Sequence, residues 1–491
     1  MIDAPPPLRH DANSLMPQRL SQTSHRYNSN FMTITPNREW ALIVGPLLAI
    51  TIFFAMSRFG WEEYACWTGA VAILCVVWWI FEPIPIPATS IIPLAFFPLL
   101  GVLPQERIAM AYGNELILLM LGGFILSAAM ERSGAHRRIA LGMVSLVGGV
   151  SSRRIVLGFM VASAALSMWI SNTATTLMML PIALAVITQS PDKKLAIPLL
   201  LAIAYGSNIG GLGTPIGTPP NLVFMQQYEN FTGTAVSFSQ WMSRGLPVVV
   251  IFIPIAGLWL TRTLDYRGAL VIPPAGDWRP EERRVLIIFG LTALAWITRL
   301  EPFGGWSTWF DLKGANDAIV ALIAVVILFL VPNGRGGKLL DWQTAEKVPW
   351  GILILFAAGI SIAQAFVESG LSRAIGDQLA ILASLHPLVI IAVIALSVTF
   401  LTETTSNTAT TILLMPILAP AALAAGIEPS LLMVPAAMSA SCAFMLPVAT
   451  APNAIVFGSG HIPMAYMVRE GIVLNFIGAI VITVVCYLLV A

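Results

Sequence analysis

Long apolar runs recur from residue 40 to the end of the chain, and they constrain its fold more than any other feature. Only 10% of the residues are charged, against about 25% in soluble proteins. We therefore predict an all-α polytopic membrane protein. A spanning helix needs about 20 apolar residues, and eleven candidates begin near Trp40, Trp67, Ala88, Leu116, Ala196, Gly245, Val285, Ala318, Trp350, Leu431 and Ile472.

Charge and cysteine content narrow the class further. The net charge of +1 argues against nucleic acid as a partner. The four cysteines all lie in apolar runs and no CxxC pair occurs, so we expect no disulfide framework. Residues 1–39 are polar and lack the apolar core of a signal peptide. We interpret them as a disordered cytoplasmic tail.

Two segments place polar residues in the middle of apolar sequence. The triplet "SNT" stands at residues 171–173 and again 235 positions later. Non-helical backbone at membrane depth is tolerated only where protein or a water-filled cavity satisfies it. We therefore predict two re-entrant hairpins with the SNT residues at their tips. Their arms, each short for a full crossing, are residues 155–170 and 174–188 in the first copy and 388–401 and 409–424 in the second.

The distribution of basic residues supports this topology. With the N-terminus inside and both hairpins re-entrant, 20 of the 26 Lys and Arg residues fall inside and 6 outside, as the positive-inside rule requires. If one hairpin crossed as a single helix, every later loop would change sides and the bias would largely vanish. We predict that the first hairpin enters from the cytoplasm, the second from outside, and that the C-terminus lies outside.

Each SNT copy is followed by a Pro-Asn motif, "GTPPN" at residues 217–221 and "ATAPN" at residues 449–453. The SNT asparagine and the Pro-Asn asparagine are 49 residues apart in the first copy and 46 in the second. This matched spacing predicts an inverted repeat, and transporters bind their ligands between such repeats near the bilayer midplane. The prolines remove backbone donors, so we expect unwinding near Gly217 and Thr218 and a new half-helix beyond them.

The motifs supply neutral polar groups without a fixed positive charge. Free N–H groups and the positive end of a half-helix attract anions, whereas carbonyls and hydroxyls suit hard cations such as sodium. The spans around the motifs carry no central Lys or Arg. A dianion at mid-membrane is costly, so half-helix termini and co-bound cations must neutralise it. The pattern favours cation-coupled anion transport, with the nearby Glu403 as a structural or gating group rather than a proton carrier.

Helix packing, a channel and an enzyme site each fit the polar residues less well than a transport site. Ser and Thr often bond back within a helix, and small residues permit close packing. Packing alone does not account for two copies at matched distance from a Pro-Asn break. A channel would need a continuous polar stripe. An intramembrane enzyme would need a His, Cys or acidic dyad at depth, where only Glu403 comes close, so we expect no enzyme.

The motifs resemble those of the divalent-anion/sodium symporter family, the INDY-type dicarboxylate and citrate carriers. The likeness covers nearly the whole chain after residue 40. In the second Pro-Asn motif Ala451 stands where the family has proline, and it restores a backbone N–H. The segments that carry the likeness are "EPIPIPATS", "AMERSGAHRRIAL", "LSMWISNTATT", "GTPIGTPPN", "SNTATTILLMPI" and "CAFMLPVAT".

The resemblance implies a homodimer of elevator type, an inverted-repeat transporter with eleven transmembrane helices and two re-entrant hairpins per protomer. Residues 40–154 would form scaffold helices 1–4. Residues 155–244 would form the first half of the transport domain, with the first hairpin and broken helix 5. Residues 245–366 would hold helix 6 and scaffold helices 7–9. Residues 367–491 would form the second half of the transport domain, with the second hairpin, broken helix 10 and helix 11.

The resemblance also implies which residues bind the ligands, namely two or more sodium ions and a dicarboxylate. The first sodium site would use Ser167, Ser171, Asn172 and Gly217, and the second Thr402, Thr405, Asn407 and Ala449. Substrate carboxylates would meet Asn172, Thr173, Thr218, Pro219, Asn407, Thr408 and Thr450.

These expectations describe a secondary active transporter of the cytoplasmic membrane. It would couple sodium to the symport of C4-dicarboxylates such as succinate, malate and fumarate. Sodium-independent exchange of dicarboxylates, or of citrate for succinate, remains the alternative. The expected partners are the dicarboxylate, sodium, the lipid bilayer and a second copy of the chain.

Overall fold

The computed structural model describes residues 39–147, 151–268, 274, 276–301, 303–374 and 386–490. Within those residues the chain is helical, with one isolated β-bridge between Pro332 and Lys338 and no strand. Nine segments of this described part are long and apolar enough to cross a membrane. They include the second arm of each hairpin, Asn172–Gln189 and Asn407–Ala424, so the prediction that these two arms are short for a crossing is wrong, because each helix extends beyond the predicted arm. The predicted tail, apart from Glu39, lies outside the described residues.

The chain before the first hairpin has two sharp interruptions. Glu82 ends the second helix in the left-handed conformation, with φ 47°, and prolines follow it. The span predicted near Ala88 is divided at Ser90, because Pro93 has no N–H to donate to the carbonyl of Thr89. The helices here are Trp40–Arg58, Glu63–Phe81, Ile86–Thr89, Ile91–Leu99, Gln105–Tyr112, Glu115–Ser133 and Ala135–Val147.

The first hairpin consists of helices Ser152–Ser167 and Asn172–Gln189, which agree with the predicted arms. Ser171 caps the second arm, since its Oγ accepts a backbone N–H of the first turn at 3.2 Å. The first arm lies in backbone contact with the helix before the first break, because a Cβ on Gly210 would clash with the carbonyl of Ala164. This contact fixes the hairpin tip relative to the break.

The first break lies where the prolines predict it. Helix Ala196–Gly210 passes into a 3₁₀ turn at Gly211–Gly213, and a new helix runs over Pro219–Thr232. Thr218 is extended, with φ −148° and ψ 140°, which is the backbone that a residue before proline prefers. The predicted unwinding near Gly217 and Thr218 and the half-helix beyond are confirmed.

Two buried ion pairs join helices that lie outside the hairpins and the breaks. Arg138 Nε lies 2.7 Å from Glu282 Oε2, and Arg299 Nε lies 2.6 Å from Asp317 Oδ1. Both arginines reach across from one helix or its end to the start of another, so they fix how these helices pack. The helices of this region are Phe238–Leu260, Pro280–Ile297, Gly305–Trp309, Asp317–Leu330, Trp342–Ala345 and Trp350–Glu368.

The second half repeats the pattern of the first. Residues 441–450 form the second break and are not helical, and Thr450 is extended before the next helix, with φ −141° and ψ 151°. The last helix packs on this break, because a Cβ on Gly471 would clash with the backbone of Phe444. The helices are Pro387–Thr402, Asn407–Ala424, Ser430–Ala440, Ala451–Gly458 and Met464–Val490.

Several helices begin earlier than the apolar runs indicate. The span predicted near Trp67 begins at Glu63, and the one predicted near Val285 begins at Pro280. The eleven crossings and the re-entrant insertion of the hairpins stay predictions. Charged first turns lower the local hydropathy without preventing a helix, so an apolar run marks the interior of a helix better than its start.

Candidate functional site

Both hairpin tips and both helix breaks meet at one cavity of about 600 Å³, which we call the central cavity. Of the eight residues predicted for sodium, six line it, while Ser167 and Thr402 are fully buried and do not. The structure therefore joins motifs from both halves of the chain in one site. All seven predicted substrate residues line the cavity: Asn172, Thr173, Thr218, Pro219, Asn407, Thr408 and Thr450.

A hydroxyl five residues earlier holds each SNT asparagine. Ser167 Oγ donates to Asn172 Oδ1, and Thr402 Oγ1 donates to Asn407 Oδ1 at 2.8 Å. Neither asparagine donates its NH₂ group to another of the described residues. Each amide thus has an oxygen beside a hydroxyl, which suits a cation, and an NH₂ group for an anion.

The two Pro-Asn asparagines hold the breaks in shape and do not line the cavity. Asn221 Nδ2 donates to the carbonyls of Gly211, at 2.9 Å, and Thr214, at 2.7 Å. Asn453 Nδ2 makes the equivalent pair of bonds, to Ala443 at 3.0 Å and Leu446 at 3.1 Å. Unwound carbonyls need partners when buried. These asparagines therefore stabilise the unwound backbone, a role that the motif alone does not reveal.

Two cross-links between the halves were not predicted from the sequence. Asn208 Nδ2, before the first break, lies 3.1 Å from Thr450 Oγ1, and Thr218 Oγ1 lies 3.2 Å from Ser441 Oγ at the second break. Asn208 is almost fully buried and also lines the central cavity. The available signal is a Ser-Asn pair, Ser207 and Asn208, inside an apolar run. The cross-links tie the cavity-lining threonines of one half to the other half.

Glu403 supports the second break from behind the hairpin tip. Its carboxylate accepts from the backbone N–H groups of Phe444, Met445 and Leu446 at 2.7, 2.9 and 3.0 Å. It also accepts from Asn475 Nδ2 at 2.8 Å. These four donors match the acceptor capacity of an ionised carboxylate. The contacts support the structural role expected for Glu403, and the residue does not line the central cavity.

The central cavity offers little fixed charge to a ligand. Among the described residues that line it there is no Lys or Arg, and Glu82 is the single charged one. Glu82 is exposed at the left-handed turn after the second helix. An anion in this cavity therefore has to find its compensating charge in half-helix N-termini or in bound cations.

A second cavity of about 620 Å³, the vestibule, adjoins the first and shares Phe124, Ser171, Thr173 and Pro349 with it. Asp341 accepts hydrogen bonds from Thr344, and Arg132 lies 2.6 Å from its carboxylate. The hydrogen bonds first, and then the charge of Arg132, hold the pKa of Asp341 below its usual range. Burial lowers the pKa of His136. The titratable residues that line the vestibule are Glu131, Arg132, His136 and Lys347.

Comparison with known proteins identifies the family. Residues 76–432 match the family described as citrate transporter. The chain belongs to the citrate transporter family. The sodium-dependent dicarboxylate transporter SdcS of Staphylococcus saprophyticus is 40% identical over 475 residues, 91% of either chain. SdcS of Staphylococcus aureus is 40% identical in an alignment of 504 positions that covers 96% of either chain.

Solved structures show the same fold at much lower identity. The Alcanivorax borkumensis YdaH transporter has a TM-score of 0.55 at 16% identity and covers 79% of this chain and 87% of its own. Neisseria gonorrhoeae MtrF, of a class of antimetabolite efflux pumps, has a TM-score of 0.57 at 14% identity and covers 93% and 96%. This citrate transporter family member therefore shares its helical architecture with transporters whose sequences have diverged widely.

Proposed function

We propose that this protein is a secondary active transporter that carries C4-dicarboxylates such as succinate, malate or fumarate into the cell together with sodium. The observation that carries the proposal is the central cavity. Two SNT tips and two half-helix starts surround a space without a basic residue among its described lining residues. The names of the SdcS relatives, which are sodium-dependent dicarboxylate transporters, support the same substrate and ion.

Sodium, as two or more ions, would bind at the outer ends of the cavity. The first site would use Ser167, Ser171, Asn172 and Gly217. Gly217 supports this assignment because a Cβ there would clash with the carbonyl of Gly211, so two backbone segments converge. Oxygen-rich, uncharged surroundings of this kind suit a hard cation.

The second sodium site would use Thr402, Thr405, Asn407 and Ala449. The hydroxyl of Thr405 is already engaged, with the carbonyl of Leu401 at 2.9 Å and with Thr410 Oγ1 at 2.6 Å. We therefore assign the backbone carbonyl of Thr405, rather than its hydroxyl, to the ion. The amide oxygen of Asn407 supplies one neighbouring oxygen, and the hydroxyl of Thr402, which only donates, to Asn407 Oδ1 and to the carbonyl of Ala440 at 2.8 Å each, supplies another.

The substrate would lie between the two ions, with one carboxylate in each half. Asn172 and Thr173 would donate to one carboxylate, and Asn407 and Thr408 to the other. Thr218, Pro219 and Thr450 would complete the walls. Each asparagine would then contact a cation with its oxygen and the anion with its NH₂ group. This shared contact couples the two ligands, because neither charge is compensated without the other.

The transport cycle would move the central cavity across the membrane by an elevator motion within a homodimer. In this proposal the hairpins are re-entrant, eleven helices span the cytoplasmic membrane, the N-terminus is cytoplasmic and the C-terminus is outside. The transport domain comprises residues 155–244 and 367–491, and the remaining helices form the scaffold. The vestibule supports a route to the cytoplasm, because it joins the central cavity at Ser171 and Thr173 and is lined by Arg132 and Lys347.

The rival function is sodium-independent exchange of dicarboxylates, or of citrate for succinate, and the family description as citrate transporter names one of these substrates. Uptake of labelled succinate into proteoliposomes, with an inward sodium gradient or with choline in its place, separates the two. We expect uptake with sodium and almost none with choline. Equal uptake in choline, stimulated by internal succinate or citrate, would establish the exchanger instead.

A further inference from the structure

The two helix breaks share an N-cap threonine and a closing asparagine, but one of the two residues between these differs. Thr218 and Thr450 both stand at the N-cap, with φ and ψ of −148° and 140° in one and −141° and 151° in the other. Both breaks are closed by the asparagine at the third helical position, Asn221 or Asn453, through the paired carbonyl contacts described above. The first helical residue differs, and it is proline at position 219 in one half and alanine at position 451 in the other.

This difference adds one hydrogen-bond donor to the second half. Proline has no backbone N–H, so Pro219 offers the cavity only its ring. Ala451 has an N–H at the start of its helix, where such groups have no partner within the helix. Ala451 is exposed and lines the central cavity. Among the described residues none accepts its N–H, whereas Thr450 Oγ1 accepts the N–H of Asn453 at 3.2 Å.

We propose that the Ala451 N–H donates to a substrate carboxylate, and that it makes the second half the tighter of two unequal carboxylate subsites. The inference rests on the proposed function, since it assumes a dicarboxylate in the central cavity. The same cavity wall carries Thr450 and Thr408, both nearly buried, and the hydroxyl of Thr450 is held in place by Asn208 and Asn453. In the first half, Pro219 stands at the position equivalent to Ala451 and offers a carboxylate apolar contact only.

The chain itself supplies a direct way to remove this donor. Ala451→Pro deletes the N–H and recreates the arrangement of the first half. The backbone accepts proline there, because Thr450 has the extended conformation that precedes proline and the first helical position favours it. The variant should therefore fold at least as well as the parent without ligand. Ala451→Gly keeps the N–H and serves as the conservative partner.

The test is equilibrium binding of labelled succinate to the purified full-length protein at saturating sodium. A hydrogen bond to a charged group accounts for about a ten- to hundredfold change in affinity. We expect Ala451→Pro to weaken succinate binding by that factor and to reduce the succinate-induced rise in Tm. The Tm without ligand should not fall. Ala451→Gly should bind several-fold more tightly than Ala451→Pro.

Two further variants control the interpretation. Glu63→Pro places a proline at the first position of a helix outside the cavity, where Glu62 is also extended, with φ −62° and ψ 150°. It should leave succinate affinity unchanged. Pro219→Ala adds the missing donor to the first half and should tighten binding.

The outcomes distinguish this inference from the proposed function. Equal succinate affinities in the parent and Ala451→Pro would overturn the inference while leaving sodium-coupled transport intact. A parent protein that binds no succinate in sodium would overturn the proposed function itself, whatever the variants do. Loss of binding in Ala451→Gly to the same extent as in Ala451→Pro would also overturn the inference, because the N–H is present in the glycine variant.

Discussion

Replacing Glu403 by Gln tests the structural account of the second break most directly. The carboxylate is almost fully buried and accepts four N–H groups, three of them from consecutive residues of the break. Glutamine has nearly the same shape but one acceptor oxygen and an NH₂ group. Since Glu403 Oε1 accepts three of the bonds and Oε2 the fourth, from Leu446, the NH₂ group must face at least one donor. The substitution therefore removes the charge and creates a donor–donor contact.

The magnitude follows from these contacts. A buried donor left without an acceptor costs about 1–3 kcal/mol, and a hydrogen bond to a charged group is stronger than a neutral one by about 1 kcal/mol, so the four donors of Glu403 give a total of about 3–5 kcal/mol. One kcal/mol shifts Tm by about 2–4 °C at 150–250 residues and by less in a longer chain, which gives an expected fall of about 3–8 °C here. The break should also loosen around Thr450, so sodium and succinate affinities should fall with the stability.

The assay is thermal unfolding of the detergent-purified protein without substrate, with Glu368→Gln as the matched control. Glu368 lies 3.8 Å from Arg107 and both side chains are substantially exposed. An exposed ion pair contributes at most about 1 kcal/mol, so the control should shift Tm little. If Glu403→Gln unfolds at the same temperature as Glu368→Gln, the four bonds do not hold the break, and the structural reasoning is wrong.

Three further predictions concern the site and its topology. Asn172→Ala and Asn407→Ala should each abolish succinate uptake while size-exclusion chromatography still shows a folded dimer, and undiminished uptake in both would contradict the site. Ser190→Cys should react with an impermeant thiol reagent only from the cytoplasm and Ala425→Cys only from outside. Labelling of both from one side would mean that one hairpin crosses the membrane; the native cysteines are buried. Between about pH 7.5 and 6.5 succinate stays mostly dianionic, because carboxylic acids titrate at more acidic pH, so its uptake should hardly change. Citrate uptake should rise as its dianion grows, and a parallel pH response of both substrates would contradict a site built for two charges.

The parts of the site that follow from local sequence were predictable. Closely spaced prolines and glycines interrupt the first broken helix, so that break could be placed by residue, whereas single prolines such as Pro181 and Pro247 lie inside helices. The repetition of SNT then paired the two halves. Contacts between distant segments were not predictable in this way. Asn208 meets Thr450 across 242 residues, and nothing in the short run around Asn208 names its partner.

Glu403 illustrates the same limit. Its position beside an SNT motif identified it as a structural or gating residue. Its function as an acceptor for the second break depends on the path of residues 441–450, which only the packed structure reveals. Ala451 is the opposite case, because one residue that departs from its counterpart in the other half is visible in the sequence. The matched backbone around it makes the departure interpretable.

The charges around the central cavity explain why transport would need a cation. Glu403 is the nearest buried charge to the second break. The four N–H groups around it already donate to its carboxylate, so they do not compensate the charge of a bound anion. Glu82, at the edge of the cavity, is negative, so it opposes a dianion. With no basic residue among the described lining, a bound dicarboxylate would face an uncompensated charge costing several kcal/mol. Sodium at the proposed sites beside Asn172 and Asn407 would remove that cost only when both ligands are present. Because such coupling is reciprocal, succinate must tighten sodium binding by the same factor by which sodium tightens succinate, and the two measurements check each other.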